Sequence, residues 1–65
     1  MELNIVRNDT LYIDTDDILR TVKKEGCSLI EAIEDYVSGL DDYYYYAIGE
    51  EEIQKIKNFI LYNEQ

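Results

Sequence analysis

The chain has 65 residues, 15 of them acidic and 6 basic, with no histidine, no proline and one cysteine. That length supports one small domain, which hides only about 60% of its unfolded surface when it folds. A lone Cys27 excludes an internal disulfide and has no histidine to share a zinc site with.

With 46% hydrophobic residues there is enough apolar material for a core, and the absence of proline argues against a disordered tail. Met1-Glu2-Leu3-Asn4 carries neither a basic nor an apolar leader region, so no signal peptide is expected. The longest apolar run, Tyr43 to Ile48, is far short of a membrane span. A single thiol fits a reducing compartment, and a soluble cytoplasmic protein is the expectation. The formal charge of −9 repels nucleic acid and anionic membranes and favours basic partners. It is also unevenly spread. Between Glu25 and Gln54 there is no lysine or arginine, yet the stretch holds nine acids, equal to the whole net charge.

In chain order, residues 2–6 and 11–14 read as short strands. Leu3 alternates with Ile5 and Leu11 with Ile13, and Arg7-Asn8-Asp9-Thr10 supplies a turn between them. Asp14-Thr15-Asp16-Asp17 then opens a helix, capped by Asp14 or Thr15 and favoured by acids at its positive end. Ile18, Leu19 and Val22 share one face, Arg20, Lys23 and Lys24 lie off it, and Gly26 stops the helix.

Ser28-Leu29-Ile30-Glu31 is a capping box, with Ser28 on the amide of Glu31 and Glu31 reaching back. The helix it opens gathers Leu29, Ile30, Ile33, Tyr36, Val37 and Leu40 on one arc and ends at Gly39. Glu31, Glu34, Asp35 and Ser38 occupy its opposite side.

Residues 41–48 read as a strand, because tyrosine favours a pleated, half-buried surface; a helical continuation is the alternative. As a strand, Tyr44 and Tyr46 would share the inward face with Ile48, leaving Tyr43 and Tyr45 outward. Gly49 breaks the run, and Glu50-Glu51-Glu52 begins a last helix. Ile53, Ile56 and Ile60, flanked by Phe59, form its buried seam; Glu51–Lys55 is a favourable pair, and Asn63-Glu64-Gln65 frays. The expected fold is therefore a small α+β domain over residues 1–65, in the order β-β-α-α-β-α, with a three-stranded sheet and helices on one face. An all-helical chain with an unstructured N-terminus is the second reading.

Catalysis finds little support. The commonest general base is missing, Ser28 is accounted for as a cap, and Cys27 lacks a base or an orienting group. Asp14-x-Asp16-Asp17 opens like a calcium loop. Ile18 and Leu19, however, stand where an oxygen ligand and a glycine belong, and Glu25 at position twelve does not rescue it. No catalytic residue, metal ligand or cofactor is assigned. The two helices joined at Gly26-Cys27-Ser28 have helix-turn-helix proportions, but the second would present Glu31, Glu34 and Asp35 to phosphate. Direct DNA reading is excluded on charge. The spacing from Asp17-Ile18-Leu19 through Glu31-Ala32-Ile33-Glu34-Asp35-Tyr36 resembles the small phage late-transcription coactivators that dock on RNA polymerase. The tyrosine run and the Gly49-Glu50-Glu51-Glu52 start do not follow that pattern, and no functional residue is carried over.

Acids beside tyrosines remain. Tyrosine is enriched at binding hot spots and loses little rotamer freedom on docking. The expected partner surface is Glu31, Glu34, Asp35, Asp41, Asp42, Tyr43, Tyr45, Glu50, Glu51 and Glu52. In size, charge and tyrosine content the chain looks like the small acidic, often phage-encoded inhibitors that imitate nucleic-acid charge. Such proteins occupy the basic grooves of defence or DNA-processing enzymes, as in anti-restriction, anti-CRISPR and DNA-glycosylase inhibition. An adaptor bridging subunits, for instance on a transcription complex, is the alternative. Self-association through a tyrosine-rich edge strand into a homodimer is the third.

Overall fold

The computed structural model describes residues 1–5 and 9–63. Among these the order is β1 (Glu2–Asn4), β2 (Thr10–Tyr12), α1 (Thr15–Glu25), α2 (Leu29–Ser38), α3 (Asp42–Ala47) and α4 (Glu50–Asn63). The chain is thus an α+β fold with a two-stranded sheet, and the order is β-β-α-α-α-α.

β1 and β2 pair antiparallel in the register Glu2↔Tyr12, Leu3↔Leu11 and Asn4↔Thr10. The ladder is extended by Ile5 N–H to the Asp9 carbonyl at 2.9 Å and Ile13 N–H to the Met1 carbonyl at 2.7 Å. Alternation divides the hairpin as the sequence pattern demands. Leu3, Ile5 and Ile13 are buried, while Glu2, Asn4, Thr10 and Tyr12 are exposed on the other face. Val6 of the expected first strand, and Arg7 and Asn8 of the expected turn, lie outside the described residues, as do Glu64 and Gln65 of the expected frayed end. Asn63 is helical, its amide nitrogen donating to the Phe59 carbonyl at 2.8 Å.

Two caps set the first helix pair. The Asp14 carboxylate accepts from Asp17 N–H at 3.2 Å, and the Ser28 hydroxyl accepts from Glu31 N–H at 3.1 Å. Gly26 closes α1 in the left-handed region at φ 66°, where a side chain would be strained, and its N–H reaches the Val22 carbonyl. The return half of the expected capping box is not made by Glu31 among the described residues. It forms instead at α4, where the Glu52 carboxylate accepts from Gly49 N–H at 3.0 Å. The expected Glu51–Lys55 pair is likewise not formed; among the described residues the sole ion pair joins Arg20 and Asp17 at 3.8 Å on the surface.

One apolar cluster gathers all these elements. Ile13, Ile18, Ile33 and Ile56 are its fully buried members, supported by Leu3, Ile5, Ala32, Val37, Ile48 and Ile60. Burying an isoleucine is worth about 1.5–3 kcal/mol, so these positions carry most of what holds so short a chain folded. α2 is the central element, packed against α1, α3 and α4. Its Tyr36 is half-buried, and the phenolic oxygen accepts from Asp14 N–H at 3.1 Å, tying α2 to the entrance of α1. Along α4, Ile56 and Ile60 are buried and Ile53 half-buried, as the seam predicts, but Phe59 lies at the surface.

Residues 41–48 correct the expectation of a third strand. Asp42–Ala47 is helical, closed by Tyr45 N–H to the Asp41 carbonyl at 2.9 Å and Ile48 N–H to the Tyr45 carbonyl at 3.3 Å. The reason is a spacing that competes with β-propensity. Leu40, Tyr44, Ala47 and Ile48 stand at i, i+4, i+7 and i+8, one helical stripe, and all four pack into or against the core. Asp41 and Asp42 also sit at the positive end of the turn they begin. A helix satisfies its own backbone, whereas a third strand needs a sheet edge beside it. With the strand goes its face assignment. Tyr44 packs inward as expected, but Tyr46 is 82% exposed, the most open of the four tyrosines.

Candidate functional site

α2 has two unlike sides. Ala32, Ile33 and Val37 are buried, while Glu31, Glu34, Asp35 and Ser38 are exposed on the opposite side. Positions three and four apart on a helix are neighbours, so these carboxylates form a row about 5–6 Å apart at Cβ. No lysine or arginine bridges any of them among the described residues. The Ser38 hydroxyl turns back to the Asp35 carbonyl at 2.7 Å.

An open groove of about 800 Å³ is lined by Glu31, Glu34, Asp35 and Ser38 of α2 together with Tyr45 and Tyr46 of α3. Val37, Ile48 and Ile53 add apolar lining, and Glu25 and Cys27 also border it. Cys27 is a free, half-buried thiol that also packs against the core. The two tyrosine rings meet edge to face, with centroids 5.4 Å apart and planes at 82°, an arrangement that suits the charge distribution of aromatic rings. Chemically, this is a wet, acidic and aromatic trough. It can hold cations and flat or apolar groups, and it repels anions.

Of the expected partner residues, Glu31, Glu34, Asp35 and Tyr45 are brought together in this groove. The others lie elsewhere. Asp41 precedes α3 without making a side-chain cap bond, and Asp42 is exposed in its first turn. Tyr43 donates its hydroxyl to the Asp9 carboxylate and meets the ring of Tyr44 edge-on at 5.2 Å. Glu50 and Glu51 are exposed at the start of α4, and Glu52 is occupied with Gly49. Seven lining residues stand outside the expected partner surface, Tyr46 and Ile53 among them. The signal for Tyr46 was its position off the Leu40–Tyr44–Ala47–Ile48 stripe, whereas Ile53 reaches the groove only through the packing of α4.

Among the described residues no cluster of three or more acids or thiols is arranged to hold a metal ion. The Asp14 carboxylate of the apparent calcium loop is used as a helix cap. Among the described residues no helix is long and apolar enough to cross a membrane. Comparison with protein-family models, with curated proteins and with solved structures finds no match for this chain.

Proposed function

We propose that this is a non-catalytic, cytoplasmic binding protein that docks on the basic nucleic-acid site of an enzyme and blocks it by imitating nucleic-acid charge. The observation that carries this reading is the row of exposed carboxylates on α2, unbridged among the described residues, that lines one groove with Tyr45 and Tyr46. Carboxylates on a rigid helix present fixed negative charge as phosphates do, and the rings add apolar contact that phosphate does not supply. A basic surface meeting them loses water but gains charge pairs, and opposite charge speeds the encounter.

Capture from the native host, followed by mass spectrometry, tests the proposal. The captured protein should be a nucleic-acid-binding enzyme, DNA or RNA should displace the present chain from it, and binding should weaken steeply with salt. Capture that ignores salt and is not displaced by nucleic acid would favour an adaptor. That second reading draws on Phe59, Leu61 and Tyr62, which α4 exposes away from its seam.

A further inference from the structure

The groove says more about its occupant than net charge does. Its lining includes the apolar Val37, Ile48 and Ile53 and the rings of Tyr45 and Tyr46, so a purely charged surface laid across it would leave that area unfilled. Its lining is also acidic, so a purely apolar occupant would strip water from Glu31, Glu34 and Asp35 without replacing it. The geometry points to arginine side chains of the partner as the ligand of this groove; the inference rests on the basic-partner reading above. A guanidinium is planar and weakly hydrated, stacks on aromatic faces, and donates in a fork that matches carboxylates. The ammonium of lysine does none of these as well. With 82% of its surface open, Tyr46 offers a ring face, and the α2 carboxylates line the same groove to take the charge. A volume of about 800 Å³ lies in the range that houses a drug-sized ligand, so the groove has room for more than one side chain.

A second copy of the chain is the poorer occupant. Of its three basic residues on α1, Arg20 and Lys23 share a surface with Asp16, and Arg20 is already paired with Asp17. Two molecules of charge −9 also repel.

The test is fluorescence anisotropy at low ionic strength with two labelled probes, a short glycine-spaced arginine peptide and its lysine counterpart. The arginine probe should bind about tenfold more tightly. Tyr46→Leu, at an exposed position, should erase that preference by weakening the arginine probe more than the lysine probe, with circular dichroism confirming the fold. E31Q/E34Q/D35N should weaken both probes. Equal affinity for the two probes, or a preference that survives Tyr46→Leu, overturns the arginine assignment and leaves the charge reading standing. No binding of either probe overturns both. Self-association in sedimentation, abolished by Arg20→Glu and Lys23→Glu, would place a second copy in the groove and overturn the assignment as well.

Discussion

α2 and α3 are neighbours built on different terms. α2 has a serine cap and three buried residues, and one of its sides is committed to the core. α3 has six residues, no side-chain cap and no fully buried residue, and is held chiefly through the half-buried Tyr44 and Ala47. The first is scaffold on one side and charge on the other; the second is mostly surface. Where the outer side of the scaffold helix meets the rings of the surface helix, the groove forms. Rigidity and exposure are thus supplied by separate elements, which is what a preorganised binding surface needs.

The largest test of this contrast sets Ile33 against Tyr46. Ile33→Ala should cost about 2–5 kcal/mol in urea unfolding, because it empties a fully buried site on α2. Tyr46→Ala should change stability by no more than about 0.5 kcal/mol. If the two cost the same, the division into scaffold and surface fails. Next come the glycines that end α1 and α2. Gly26→Ala should cost roughly 1–2 kcal/mol because its φ of 66° excludes a side chain without strain. Gly39→Ala should be near neutral, since its Cβ would meet the Tyr36 carbonyl at an ordinary 3.5 Å. The caps sharpen the comparison further. Ser28→Ala should lower stability by about 1 kcal/mol through loss of a formed bond. Asp41→Ala, at a position that makes no such bond, should cost clearly less in the same unfolding assay.

What the sequence revealed follows from how local each signal is. Ser28 to Glu31 is a contact within one turn, and the cap forms where the spacing places it. Leu3, Ile5 and Ile13 are buried because period-two alternation leaves a hairpin one apolar face. Tyr43 to Tyr46 misled because tyrosine's β-propensity reflects packing on a sheet, whereas this segment reaches the core through residues at helical spacing. The Leu40, Tyr44, Ala47 and Ile48 stripe was present but began between Gly39, read as the end of α2, and Asp41, read as the start of a strand. The acidic lining of the groove was legible because it lies on one helix. Its aromatic and apolar lining depends on how α3 and α4 settle against α2, and no short-range pattern encodes that.

The account stands on charge acting from one place and not from the molecule at large. The most direct measurement is the affinity for polyarginine, as a function of salt, of two variants that each remove three negative charges. E31Q/E34Q/D35N strips acids that line the groove, and E2Q/D16N/E51Q strips exposed acids outside it. The groove variant should bind far more weakly than the control at low salt and lose most of the steep salt dependence, while the control stays near wild type. Equal losses in the two variants would contradict the account, because binding would then follow net charge alone.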